Sequence, residues 1–162
     1  MSNVFSMNRS TFCSVCLGLA FCFIGCVFYI TFGFHYHLFH MNASQSLPHT
    51  VYVTKPFHAP LKRGDYILFH HPLFKAPIIK QILGVEGDVI THNEGALQIN
   101  DTHLFLSPTR SNGTPLNPLK TAIVPKGYVF VAGTHLHSFD SRYEEFGLIA
   151  IDVVRGRVWP VF

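Results

Sequence analysis

The hydrophobic pattern changes character once along the chain, near residue 40. Before that point, Thr11 to Phe34 is a run of 24 residues, mostly Phe, Cys, Leu, Ile, Val and Gly. A helix needs roughly 20 such residues to cross a bilayer core. Beyond Pro48 the apolar residues come in short runs punctuated by Gly, Pro and Asn, with no long stretch of helical period. These runs predict strands at 51–54, 66–70, 78–84, 96–99, 103–106, 128–132, 148–154 and 157–162. Turns are predicted at Arg63-Gly-Asp65, Glu86-Gly-Asp88, Asn100-Asp101, Lys126-Gly127 and Arg155-Gly156. Residues 107–118, rich in Pro, Ser, Thr, Asn and Gly, read as a loop. The pattern predicts an all-β domain over 42–162, one transmembrane helix over 11–34 and a short N-terminal segment, 1–10.

The apolar run is too long for a signal peptide, whose apolar region covers about 7–15 residues before an Ala-x-Ala-like site that is missing here. An uncleaved anchor is the expectation. From Ser10 to Thr54 there is no Lys, Arg, Asp or Glu, so Arg9 is the flanking charge. By the positive-inside tendency it keeps residues 1–10 in the cytoplasm and sends the β domain across the membrane. Tyr36 and the rings around it suit the outer interface.

Composition narrows the function. The net charge of +3 is scattered, with no basic run, which argues against nucleic acid. Cys13, Cys16, Cys22 and Cys26 all lie in the apolar run, so the β domain holds no disulfide, and Cys13-x-x-Cys16 reads as small hydrophobes. The 11 histidines cluster at His35-Tyr-His37-Leu-Phe-His40, His70-His71 and His135-Leu-His137, without Cys or paired carboxylates beside them. No metal and no cofactor is expected.

Two groups of residues carry candidate chemistry. Ser44 and Ser46 sit in the polar stretch Asn42-Ala-Ser44-Gln-Ser46-Leu-Pro48, where the apolar run gives way to the β domain. Lys80 lies in Ile78-Ile-Lys80-Gln-Ile82, and strand alternation puts it on the same side as Ile78 and Ile82. Lysines are ordinarily solvated, so spacing alone admits both a solvent-facing and a buried Lys80. If buried, its amine is driven toward the neutral form, which can take a proton from a serine hydroxyl.

Four separated pieces, in order, resemble the boxes of the signal peptidase I (peptidase S26) family of membrane-anchored serine endopeptidases. Ser46-Leu-Pro48-His-Thr50-Val-Tyr52 resembles the nucleophile box and Lys62-Arg-Gly-Asp65-Tyr-Ile-Leu-Phe69 the strand box after it. Ile79-Lys80-Gln-Ile-Leu-Gly84-Val-Glu-Gly87-Asp88 resembles the lysine box. Gly133-Thr-His-Leu-His-Ser138-Phe-Asp140-Ser141-Arg142 resembles the last box, Gly-Asp-Asn-x-x-Ser-x-Asp-Ser-Arg, which is the most specific of the four. The resemblance implies a signal-peptidase-like β domain with a small cap drawn from residues 89–132. It implies Ser46 as nucleophile, Lys80 as general base and Ser138 as the hydroxyl that orients the lysine. Ser44 is implied as an oxyanion donor beside the Ser46 N–H, a role commonly worth about 3–4 kcal/mol of barrier. Asp140 and Arg142 are implied as a structural ion pair.

The chain departs from the usual pattern in two places. The family's nucleophile box is Ser-Met-x-Pro, whereas Pro48 stands two residues after Ser46, and Thr134-His135 replace the Asp-Asn of the last box. The proline spacing, Tyr52 and the run Ser138-Phe-Asp-Ser-Arg-Tyr143 resemble the TraF-type conjugative transfer peptidases, which process pilin precursors. The implied setting is a bacterial inner membrane, with the peptidase domain in the periplasm. The implied partners are an exported precursor, membrane lipid and other transfer or secretion proteins. Hydrolysis and cyclisation of the product both stay open. So do a general signal peptidase I and a non-catalytic pilus-assembly protein of the same fold.

Overall fold

The computed structural model describes residues 9–35, 39–41, 46–55, 60–93 and 95–161. The chain divides into two units, residues 1–38 and 39–162. In the first, helix α1 runs from Arg9 to His35. Its stretch Ser10–Thr31 is 22 residues long and uncharged. At about 1.5 Å per residue it extends about 33 Å, close to the roughly 30 Å of a bilayer's hydrocarbon core. Phe12, Leu17, Phe21, Phe23, Ile24 and Phe28 are all exposed, so the helix is apolar on every side. Its hydroxyls turn inward on the backbone, Ser14 to the Ser10 carbonyl at 3.0 Å and Thr31 to the Val27 carbonyl at 2.8 Å. That is how such groups are satisfied where no water is available. These features fit a membrane anchor.

The second unit is mostly β, with two antiparallel sheets. Its strands are β1 Phe39–Met41, β2 Val51–Lys55, β3 Tyr66–Phe69, β4 Ile78–Gly84, β5 Val89–Asn93 and β6 Ala96–Ile99. They continue as β7 Thr102–Phe105, β8 Ala122–Ile123, β9 Tyr128–Ala132, β10 Ile149–Ala150 and β11 Val154–Pro160. The large sheet runs β1-β2-β11-β3-β4-β9-β10 and the small one β7-β6-β5-β8. The small sheet is the cap expected between the lysine box and the last box.

β9 explains how the two sheets share a core. Its run Tyr-Val-Phe-Val-Ala is apolar at consecutive positions because both faces are buried. Val129 and Val131 pack with Ile67, Phe69, Ile82, Phe146 and Ile149 on one face. Phe130 and Ala132 pack on the other with Ile90, Leu97, Ile99 and Val124, which come from the small sheet and its approach. A third cluster, Leu47, Tyr52, Leu68, Ile79 and Val158, seats the start of the domain on the large sheet.

Three expectations need correction. The strand expected over 148–154 is broken: β10 pairs with β9 at one side of the sheet, whereas β11 pairs with β3 and β2. One straight strand cannot reach both places, and a 3-10 turn, Ile151–Val153, makes the transfer. Arg155-Gly156 is no turn but a bulge inside β11, where the register slips between Val154 and Gly156. A Cβ on Gly156 would stand 2.9 Å from Thr54 Cγ2, so the bulge needs glycine there. Finally, β1, β5 and β8 were not anticipated, and the sheet begins at Phe39, ahead of residue 42. β5 leaves no strand pattern in the sequence because Ile90 is its one buried side chain and the rest of Val-Ile-Thr-His-Asn carries no alternation.

Two aspartates tie the turns around β4. Asp65 accepts the Lys62 N–H at 2.9 Å and pairs with Arg157 at 2.8 Å. Asp88 accepts the Val85 N–H at 2.8 Å and the Arg63 Nε–H at 2.8 Å. The Arg63 hydrogen bond, helped by the Val85 N–H, holds the Asp88 carboxyl at about 2. Its ordinary value is near 4. A carboxyl depressed on folding stabilises the fold fully above that ordinary value and loses the contribution as pH falls through about 2. Asp88→Asn should therefore lower Tm at neutral pH and flatten the fall of Tm between about pH 4 and 2, followed by circular dichroism. An unchanged slope would show that this pair does not set acid stability.

Candidate active site

Ser46 enters the structure just ahead of β2, at 8% exposure, with Leu47 behind it buried against Tyr52, Leu68, Ile79 and Val158. Leu47 thus anchors the serine segment by apolar burial. The backbone is held as well: the Ser46 carbonyl accepts the Thr134 N–H at 2.8 Å, with the Thr134 hydroxyl at 3.5 Å. Ser44 lies outside the described residues.

Lys80 is at the centre of β4, opposite Ile67 of β3. Alternation puts it in one row with Ile78 and Ile82, which pack on the same apolar cluster as Ile67. Its side chain is buried and its Nζ donates to Ser138 Oγ at 2.7 Å. Burial lowers the amine from its ordinary 10.5 to about 8, with Asp140 pulling it up and Arg142 pushing it down. Of the two positions that spacing left open, the structure has the buried one.

Ser138 and its neighbours belong to one tight segment following β9. The Ser138 N–H bonds the His135 carbonyl at 3.0 Å. Asp140 and Arg142 pair through two parallel bonds, Nε to Oδ1 and an Nη to Oδ2, both at 2.8 Å. Asp140 also accepts the Gly133 N–H at 2.9 Å. The guanidinium's remaining donors reach the carbonyls of Phe105 at 3.0 Å, His135 at 3.1 Å, Ser138 at 3.1 Å and Leu136 at 3.4 Å. Arg142 is therefore a nearly saturated hub, and what it holds is the shape of residues 133–142. Ser141 is part of the scaffold: it accepts the Val131 N–H at 3.2 Å and donates to the Gly147 carbonyl at 2.7 Å.

Gly133 marks where these pieces converge. A Cβ there would overlap both Ser138 Oγ and the Ser46 carbonyl oxygen. Only glycine lets the serine segment, the lysine's partner and the end of β9 meet at one point. The stretch 107–119 braces the segment from outside. The Ser107 N–H bonds Tyr143 Oη at 2.9 Å, the Leu119 N–H bonds the Arg142 carbonyl at 2.8 Å, and the Arg110 guanidinium lies 4.0 Å over the Phe139 ring.

The structure thus brings Ser46, Lys80, Ser138, Asp140 and Arg142 into one site. Gly133 and Thr134 belong to it too, although sequence marked Thr134 only as a departure from the last box and gave Gly133 no role of its own. Gly133 stands in the quoted box, so its presence was visible; that Thr134 would reach back to Ser46 required the folded chain. A buried amine near neutrality beside a serine segment is suited to nucleophilic acyl transfer.

The family described as "Signal peptidase, peptidase S26" matches residues 10–162. The chain is 34% identical over 115 residues to the mitochondrial ATP-independent inner membrane protease subunit 1b of Arabidopsis thaliana, covering 67% of this chain and 56% of that protein. It is 32% identical over 114 residues to signal peptidase I T of Bacillus subtilis, covering 63% and 57%. It therefore spans little more than half the length of those two relatives. With the conjugal transfer protein TraF of Agrobacterium fabrum it shares 25% identity over 148 residues, 76% of this chain and 82% of that protein. A match that runs from the start of the apolar helix to the last residue, over all four boxes, means that this chain belongs to the peptidase S26 family of signal peptidases.

Proposed function

We propose that the chain is a membrane-anchored serine endopeptidase in which Ser46 attacks and Lys80 is the general base. The observation that carries this reading is the buried Lys80 amine, held by Ser138 at 2.7 Å and lowered to about 8. A lysine with an ordinary amine would be almost wholly charged at neutral pH; at about 8 a working fraction is free base. As Ser46 Oγ attacks the peptide carbonyl, its proton passes to Lys80 Nζ. The resulting ammonium gives that proton to the departing amine, leaving an acyl-enzyme on Ser46. Lys80, neutral again, takes a proton from the water that releases the acyl group. The Ser46 N–H and, by family resemblance, the Ser44 hydroxyl face the oxyanion.

The substrate reaches this centre as an extended chain. β4 pairs with β3 along Ile78 to Gln81, but β9 joins β4 only from Gln81 onward. Among the described residues no strand covers the far edge of Ile78–Lys80, which is open to a substrate backbone.

The substrate we favour is a conjugative pilin precursor, cleaved on the periplasmic face of a bacterial inner membrane, with other transfer proteins as neighbours. The Ser46-Leu-Pro48 spacing and the similarity to TraF over 82% of its length support it. General signal peptide removal is the second reading, favoured by the similarity to signal peptidase I T. Retention of both Ser46 and Lys80 speaks against a non-catalytic assembly role. Incubation with pilin and secretory precursors, read by intact mass, separates the readings. Hydrolysis leaves a linear product, whereas cyclisation leaves one lighter by a water.

Ser46→Ala and Lys80→Met should each lower kcat/KM by at least about 10³-fold. Ser138→Ala, which removes a positioning contact only, should lower it about 10–100-fold and shift the pH profile. Lys80→Met should melt no lower than the parent at pH 7, since the ammonium it replaces is disfavoured by burial. Near-normal turnover by Lys80→Met would end the dyad assignment. Because the base must be neutral, kcat/KM for a short peptide should rise with pH through about 8 and level off above it. A rising limb centred below pH 7 would point to a histidine instead.

A further inference from the structure

On the face of the large sheet turned away from Lys80 lies a slot of about 370 Å³, within the range of ligand pockets. One wall is Gln81 and Leu83 of β4 with Ala132 of β9; the other is β7, Thr102–Phe105. It ends at Gly133 and Thr134, the two residues in contact with the Ser46 carbonyl. Phe105 and Leu136 stand at its mouth, 69% and 49% exposed.

The wall made by β7 is an open sheet edge. β7 is the last strand of the small sheet and, among the described residues, pairs with β6 alone, Ile99 opposite Thr102 and Gln98 opposite His103. The hairpin turns on Asn100-Asp101, with Asn100 at φ 50°. In a two-residue hairpin the closing pair exchanges both hydrogen bonds, and the pairs then alternate. Thr102 and Leu104 therefore spend their backbone groups on β6, whereas those of His103 and Phe105 point outward. The Phe105 carbonyl is taken by Arg142 at 3.0 Å, which agrees with that direction. The His103 N–H and C=O and the Phe105 N–H remain aimed away from β6, with no strand on them among the described residues.

Unpaired, alternating backbone donors and acceptors beside an apolar rim recognise one thing well, an extended polypeptide added as a further strand. Its identity follows from where the slot leads: a chain lying on β7 reaches Thr134, and so the serine segment, without leaving the protein. The geometry points to β7 as a second docking strand that holds an extended, partly apolar segment of the substrate polypeptide, outside the residues flanking its scissile bond. This rests on the endopeptidase reading and deepens it. Substrate choice is then read at two edges: β4 aligns the scissile bond, and β7 requires a segment free to become a strand.

Proline at His103 tests this, because it removes an outward N–H and leaves the β6 pairing intact. With the precursor that the parent enzyme cleaves, His103→Pro should raise KM about fivefold to tenfold with kcat within about twofold. Cleavage of a peptide of about six residues around the scissile bond should be unchanged. Thr102→Trp, which fills the slot from an exposed position, should act in the same way should the proline variant fold poorly. Equal effects on precursor and short peptide, or none on either, would overturn the proposal. A photo-crosslinking residue at Phe105 in the Ser46→Ala protein should join to added precursor. Crosslinking to a second copy of the chain would overturn it. Because crosslinking needs no turnover, failure of docking is separable from failure of the peptidase reading, in which the parent cleaves nothing.

Discussion

The site depends on one buried ion pair. Asp140 and Arg142 are almost wholly inaccessible, and neither charge would be tolerated there alone. What makes the pair sustainable is that the guanidinium spends its remaining donors on the carbonyls of Phe105, His135, Leu136 and Ser138, and the carboxylate accepts the Gly133 N–H. Removing one partner of such an arrangement commonly costs about 3–5 kcal/mol, since it strands the other charge. The consequence is conformational. Residues 133–142 take one shape, and that shape puts Gly133, Thr134 and Ser138 where Ser46 and Lys80 can meet them.

The same economy governs Lys80. Lys80 is buried on the face of β4 that it shares with Ile78 and Ile82, and an amine there loses hydration that nothing nearby fully replaces. Asp140 pulls its affinity for protons up and Arg142 pushes it down, so burial decides. The cost in stability and the lowered proton affinity have one origin, the dry surroundings of Nζ. Ser138 gives the amine a direction without giving it a counter-charge.

β9 joins these features to the rest of the domain. Its odd residues close the core beneath Lys80, its even residues close the core under the small sheet, and its end carries Gly133. The small sheet is thereby fixed to the segment that grips Ser46, and Arg142 bonding to Phe105 makes the connection a second time. An edge strand of the cap is thereby linked through the fold to the segment around Ser46.

Much of this was legible from sequence because it depends on local periodicity and on motif order. β4, β6 and β9 fall where the alternating or continuous apolar runs put them, and Ser46, Lys80, Ser138, Asp140 and Arg142 stand in boxes with distinctive spacing. The apolar helix followed from length and absence of charge alone. Elements whose existence depends on a distant partner were not legible. β1, β5 and β8 are strands because something pairs with them, and Arg155-Gly156 is a bulge and not a turn because β11 pairs with β3 on both sides of it. The burial of Lys80 was likewise open, since a lysine between isoleucines is dry only if another layer covers that face. Sequence by itself determined the order of the boxes and the candidate residues they contain. Tertiary structure decided the proton affinity of the lysine, the grip of Thr134 on Ser46 and the free edge of β7, because each depends on which segments pack together, and local pattern does not contain that.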